Sequence, residues 1–373
     1  MDFSLAAEEK ALVDALTEIL RRVCSTARIR EWETGRQSFD DAFIDALVQG
    51  DFLEAGLEFG DCPSFGVLVQ LEEAAGRFLA PPVFSWLSGY AAFLLGEHPL
   101  ARRIAAGWVP APLAPGRGAV RLDGQRLAGA AEAVPFLDRA NSLLLTVPAE
   151  GGASGSGQAG SLPHGIGRTG LTAPRQPGQR DGACVVLVDK DAPGIQAVLV
   201  PTQSLVPQWS VRFTATPAME IVAVGPERLA GALNRLRTCL AAWATGAGSR
   251  AIDLAVAYAK EREQFGHAIG SYQSVQNRLV DAAIQLEQAR MLASRASALI
   301  DAGAVEAADV AILARHQAGK AFVQATRAAM LTFGGYGFTV DFDIQLYFRR
   351  AKEAQLGFEP RPPWQLAPGF RSE

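Results

Sequence analysis

Two stretches hold the residue types that could do chemistry. The first, AKEREQFGHAIGSYQSVQNRLVD at residues 259–281, interrupts an alanine-rich region with charges, a Gln-Phe-Gly step, a lone histidine and a second glycine. The second, LTFGGYGFTVDFDIQLYFRRAKEAQ at residues 331–355, carries adjacent glycines and a pair of arginines. Arg262 in the first stretch is a permanent cation with a fork of donors, so the question is what it holds. Taken alone, its surroundings read as a helix C-terminus. Arg262 then meets the last carbonyls, Phe265 tucks into a bundle, and Gly266 is the cap. Taken alone, Gly334 and Gly335 read as a tight turn between helices.

Composition narrows the function classes. The chain has 373 residues, 49% hydrophobic and 20% charged, enough for two or three domains with full cores. A formal net charge of −4 leaves no electrostatic footprint for nucleic acid, so an anionic ligand needs a local basic site. Cys24, Cys62, Cys184 and Cys239 are scattered without a CxxC pair, and the four histidines are scattered too. That argues against a metal site and against a disulfide framework, and for a reducing, cytoplasmic setting. The start, MDFSLAAEEKALVDAL, lacks the basic end and apolar core of a signal peptide, and no segment has the length of a membrane span. No strand–GxGxxG–helix unit and no GxxxxGK[ST] is present, which excludes Rossmann and P-loop nucleotide sites.

The elements that position the two stretches fall into three regions. Residues 1–108 read as helices: one capped by Ser4 with the stripe Leu12, Leu16, Ile19 and Val23, one in DDAFIDALVQG capped by Asp40 or Asp41, and one in VLVQLEEAAGRFL stopped by Pro81 and Pro82. Residues 109–226 read as short strands: AVRLDGQRLAG around an Asp-Gly turn, then SLLLTVP, ACVVLVDK, IQAVLVP and VRFTATPAMEIVAV. The Gly/Ser/Pro-rich segment between the second and third of these is too poor in large apolar residues for a core and reads as a surface loop. Residues 227–373 are helical again. Leu279, Ala282, Leu286, Ala289, Ala293 and Ala296 step by three or four, and an alanine face of that kind allows close helix approach.

With both stretches present, in this order and behind an α and then a β region, the sequence resembles the acyl-CoA dehydrogenase family. EREQFGHAIGSYQSVQNRLVD matches its Arg-x-Gln-Phe-Gly, a short variable stretch, then Phe/Tyr-Gln-x-x-Gln. FGGYGFT followed by LYFRRAK matches its Gly-Gly-x-Gly turn and Arg-Asp-Ala-Lys. MDFSLAAEEKAL and LEEAAGRFLAPPVF look like its N-terminal helix starts; the β region matches weakly. The resemblance implies a multi-domain α+β fold with an N-terminal α-helical domain, a middle β-barrel-like domain and a C-terminal four-helix bundle. It implies FAD in a cleft at a subunit interface, with Arg262 reaching the pyrophosphate of the flavin held mainly by the neighbouring subunit. A guanidinium fork suits phosphate oxygens. By the same carry-over Gln264 and Phe265 lie beside it, Gln273 is the adenine-side glutamine, and Gly334 and Gly335 let backbone pass close to the cofactor. His267 is a surface or interface residue. The implied reaction is α,β-dehydrogenation of an acyl-CoA thioester, in which a carboxylate takes the α-proton, the flavin takes hydride, and electrons pass to an electron-transfer flavoprotein.

The sequence also departs from that pattern. The family's common base slot falls on Phe358, with Glu359 next to it and Pro360 after. The alternative slot, 26 residues before Arg262, is Leu236, flanked by Arg235 and Arg237. No Thr-Glu-Pro-x-x-Gly-Ser-Asp segment occurs in WVPAPLAPGRGAVRLDG, and Leu331 stands where a flavin-contacting Gln is common. Features donated across an interface are kept and those of a self-contained reaction centre are missing, so no catalytic residue is assigned. This resembles the base-less subunit of heteromeric α2β2 acyl-CoA dehydrogenases of bacterial steroid and bile-acid side-chain catabolism. The alternatives are a homo-oligomeric dehydrogenase using Glu359, a non-catalytic assembly subunit, and a flavin oxidase or monooxygenase on the same scaffold.

Overall fold

The computed structural model describes residues 6–57, 64–115, 118–148 and 183–357. Ser4, the Gly/Ser/Pro segment at 149–182, and Phe358, Glu359 and Pro360 lie outside the described residues. Helix α1 (Ala7–Val23) starts instead from Ala6, whose backbone N–H donates to the Glu9 carboxylate at 2.9 Å. Leu16, Leu20 and Val23 are its buried face. Helix α2 (Thr26–Gly35) is capped by Ser25, and α3 (Asp41–Gln49) by Asp40, whose carboxylate accepts the Phe43 N–H at 3.0 Å.

Helix α4 (Phe65–Arg77) ends just before the proline pair. The chain then enters a π-helix, Phe84–Ala92, every residue of which is buried, and runs on through α5 (Phe93–Leu95) and α6 (Pro99–Ala105). Extended π-helix is rare, and its insertion re-aims side chains relative to an α-helix. Here Trp86 points at the cleft described below and Tyr90 into the β region, where its hydroxyl lies 2.7 Å from that of Thr146.

The middle region is not a barrel. Strands β1 (Ala111–Leu113), β4 (Ser142–Pro148), β5 (Ala183–Asp189) and β8 (Glu220–Val224) form one sheet in the order β1-β4-β5-β8. Strands β2 (Gly118–Asp123), β3 (Arg126–Val134), β7 (Gln208–Pro217) and β6 (Ile195–Val200) form a second, in the order β2-β3-β7-β6. No ladder joins them among the described residues; Leu143, Leu145 and Val186 of one meet Leu127, Val211 and Phe213 of the other in a shared core, as in a sandwich. The opposite face of the first sheet, through Leu144, Val185 and Leu187, joins the helical core. Both faces of β4 are therefore covered, which explains its continuous apolar run.

The C-terminal helices are α7 (Pro226–Glu261), α8 (Gln273–Asp301), α9 (Ala307–Phe333) and α10 (Ile344–Leu356). The buried face of α8 is Leu279, Ala282, Leu286, Ala289, Ala293, Ala296 and Ser297, the stripe expected from the spacing. Helix α9 answers with Ala311, Ala314, Ala318, Ala321 and Ala325 and packs on α7, α8 and α10. The up–down–up course puts the end of α7, the start of α8 and the end of α9 at one end of the bundle.

Candidate functional site

Arg262 is where α7 stops. Its N–H still donates to the Tyr258 carbonyl at 2.8 Å, but its backbone is extended. A small hairpin follows, β9 (Glu263–Gln264) and β10 (His267–Ala268), with Gln264 opposite His267. Phe265 and Gly266 form its turn with φ of 55° and 80°, so both are left-handed, as a two-residue turn of the primed type requires. Gly266 is thus a hairpin residue and not the helix cap. Phe265 does not tuck into the bundle: it is 92% exposed. The base of the hairpin is closed by the Ile269 N–H on the Arg262 carbonyl at 2.7 Å and by the Tyr272 hydroxyl on the Gln264 carbonyl at 2.9 Å. Gln273 then opens α8, exposed.

The glycine pair arrives from α9. Gly334 ends that helix with φ of 63°, and Gly334–Phe338 forms a 3-10 turn. A Cβ added at Gly334 or Gly335 would meet nothing within 4 Å, so the bare backbone faces outward from this chain. Tyr336, between the glycines and Phe338, brings the two motifs together: the Arg262 guanidinium carbon lies 5.4 Å from its ring centroid. Glu261 and Glu263 flank Arg262, yet no carboxylate among the described residues pairs with it. The arrangement is a half-buried cation with unspent donors, beside backbone that carries no side-chain obstruction. Such a surface can hold a phosphate group from outside the chain.

A second feature is internal. A cleft of about 120 Å³ lies where the three regions meet, walled by Trp32, Trp86, Trp243 and Phe136. It reaches Gly357, the residue before the Phe358 slot. Leu79, Ala133, Phe136 and Leu205 all line it and all have positive φ, a conformation that persists only where packing from several sides enforces it. Its carboxylates are tied. Glu33 accepts from Arg349 at 2.8 Å and Arg350 at 3.0 Å; Arg350 also donates to the Leu79 carbonyl at 3.0 Å. Gln208 holds Glu353, and Arg315 donates to the Ala354 carbonyl.

The alternative base slot, Leu236, is wholly buried on α7. Arg235 stacks between the rings of Phe65 and Phe93 and donates to the Gly56 carbonyl, and Arg237 donates to Asn234 at 2.7 Å. One carboxyl group that sequence reasoning passed over is Glu72 on α4. It is fully buried, and desolvation raises its pKa to about 8 against hydrogen bonds from the Ser85 hydroxyl and the Ser85 and Phe84 N–H groups. Its signal, a Glu-Glu pair inside an apolar helix, reads as amphipathic patterning. It does not line the cleft.

Residues 225–357 match the family model for the acyl-CoA dehydrogenase C-terminal domain. Over that stretch the chain is similar to the acyl-CoA dehydrogenase family. The acyl-CoA dehydrogenase IpdE2 of Mycolicibacterium smegmatis is 41% identical over 123 residues, which is 33% of this chain and 38% of that protein. The aligned stretches span about a third of the length of the first curated relatives. Two solved structures extend the likeness over most of the chain. A variant of the Tcur3481-Tcur3483 steroid ACAD superposes with a TM-score of 0.75 at 26% identity, covering 93% of this chain and 92% of that one. The ChsE4-ChsE5 complex from Mycobacterium tuberculosis gives 0.78 at 22%, covering 96% and 94%, a likeness of fold. Among the described residues, no helix of this acyl-CoA dehydrogenase relative is long and apolar enough to cross a membrane, and no three His, Cys, Asp or Glu side chains gather to hold a metal.

Proposed function

We propose that this chain is a component of an FAD-dependent acyl-CoA dehydrogenase and completes the flavin site of a partner chain without supplying the catalytic base. The observation that carries the reading is the contrast between its two ends. At the outer end Arg262 stands free of any carboxylate among the described residues, beside the open Gly334–Gly335 backbone. That end fits the pyrophosphate of a dinucleotide held from another subunit. Gln264, Phe265 and Gln273 are exposed around it and would complete the contact.

The inner cleft shows no carboxylate free to act as a base among its described lining residues. Its carboxylates, Glu33 and Glu353, are already engaged by Arg349, Arg350 and Gln208. When bound at the outer site, FAD would supply hydride acceptance for α,β-dehydrogenation of an acyl-CoA. This chain's residues bind and orient it. The electrons then leave through an electron-transfer flavoprotein. The partner is a second, base-bearing chain of the same family in an α2β2 assembly, and the acyl group is of the steroid side-chain type. The likeness to a protein described as a steroid ACAD supports both.

The test is a flavin-to-chain ratio. Purified alone, the chain should be colourless. Recovered through a tag together with its native partner, it should be yellow with one FAD for two chains. A yellow, active assembly of this chain by itself overturns the reading in favour of a base at Glu359. Unchanged flavin content after Arg262→Ala makes the chain an assembly subunit, and rapid reoxidation of reduced flavin by oxygen makes the enzyme an oxidase.

A further inference from the structure

We infer that Tyr336 is a positioning residue that holds the Arg262 guanidinium in place while leaving its N–H donors free; this rests on the reading of Arg262 as a phosphate ligand. A flexible arginine can be fixed in two ways. An ion pair with a carboxylate fixes it but uses the donors that a phosphate needs. An aromatic face fixes it through the ring quadrupole and uses none of them. Arg262 takes the second route: Glu261 and Glu263 are its chain neighbours, yet its described contact is the Tyr336 ring at 5.4 Å.

The ring is itself braced. Tyr336 lies 5.8 Å from Phe342, which meets Phe333 edge-on at 5.5 Å and Tyr258 at 6.1 Å. Phe333 and Tyr258 stack at 4.3 Å with 18° between planes. Tyr258 stands one turn before Arg262, and its carbonyl accepts the Arg262 N–H at 2.8 Å. One aromatic cluster therefore fixes the arginine twice, its backbone through Tyr258 and its side chain through Tyr336. The Tyr336 carbonyl is pinned by the Thr339 hydroxyl at 2.8 Å. Gly337 seats the turn, since a Cβ there would lie 3.0 Å from Phe333 Cβ. Tyr336 is nevertheless 50% exposed, so its ring is only partly spent on the core.

The assembly recovered through a tag on this chain, stripped of flavin, is titrated with FAD by fluorescence. Tyr336→Leu keeps an apolar side chain and removes the π face; it should weaken FAD about two- to fivefold. Tyr336→Phe should bind as wild type. In an Arg262→Ala background Tyr336→Leu should have no further effect, because its influence runs through the arginine. Wild-type affinity in Tyr336→Leu, with weakened affinity in Arg262→Ala, overturns the inference and spares the reading of Arg262. The same loss in both backgrounds also overturns it, by making Tyr336 a structural or direct contact. Wild-type affinity in Arg262→Ala sinks both.

Discussion

Gly76 and Gly246 mark the point where α4 and α7 touch backbone to backbone. A Cβ on Gly76 would stand 2.0 Å from the Trp243 carbonyl oxygen, and one on Gly246 would stand 2.0 Å from the Glu73 carbonyl oxygen. The obstacle in each case is main chain and cannot rotate away. Gly76→Ala or Gly246→Ala must separate the helices, and each should destabilise the fold by about 1–3 kcal/mol or more, read as a lower denaturation midpoint. The double variant should cost less than the sum, because the first substitution already opens the crossing.

Glu72 makes stability depend on pH in a direction opposite to that of a salt-bridged carboxylate. Its pKa is raised by burial from 4.5 to about 8, so the folded chain keeps a proton that the unfolded chain releases. The stability contributed by the neutral group is fully present below the unfolded value and is lost as pH rises through the folded one. Between pH 4.5 and 8 the unfolding free energy of wild type relative to Glu72→Gln should fall, by on the order of 5 kcal/mol at most. Urea titrations of both chains at pH 5.5, 7 and 8.5 measure it. A constant difference across that range would contradict a buried neutral acid.

Glu33 holds the three regions together through α10. Its side chain is 7% exposed and that of Arg350 is 8%, so removing the carboxylate leaves a buried, unpaired cation. Glu33→Ala should cost about 3–5 kcal/mol, while Glu33→Leu with Arg350→Met should cost much less. Denaturant unfolding of the two variants decides whether the cleft's ion pair is a stability element or a specificity element.

Legibility in the sequence followed locality. The α8 stripe was readable because alanine at a 3.6 period leaves little else for it to do, and the β2–β3 hairpin was readable because its turn chemistry is local, although the turn falls on Gly124–Gln125 and leaves Asp123 in the strand. The π-helix at 84–92 was not, since a segment buried on every side has no period. Strand β1 was not, because three residues, Ala-Pro-Leu, carry no alternation and pair in parallel with a strand 32 positions away. A barrel was expected where two sheets stack, because strand pattern does not say which sheet a strand joins. At the candidate site the motifs named Arg262, Gln264, Phe265, Gln273, Gly334 and Gly335, but not the ring that links them. The cleft was invisible because its walls come from α2, the proline pair, the π-helix, two β-region loops, α7, α9 and α10, and only the fold brings these together.

Phe265 is the sharpest conflict between local rule and observed place. A bulky residue with positive φ is an outlier, and a phenylalanine 92% exposed buries nothing in return within this chain. Glycine at the first turn position would relieve the backbone, since φ of 55° carries no penalty without a Cβ. Phe265→Gly should therefore leave the hairpin intact and raise stability by a few tenths to about 1 kcal/mol, seen as a higher midpoint in thermal unfolding of the isolated chain. If the ring is kept for a contact outside the chain, the same variant should weaken FAD retention or partner capture in the native assembly. Gain of stability with loss of binding is the signature of strain held for function. A variant that is less stable in isolation would mean that the ring makes a contact within its own chain, and the hairpin tip would lose its claim to the interface.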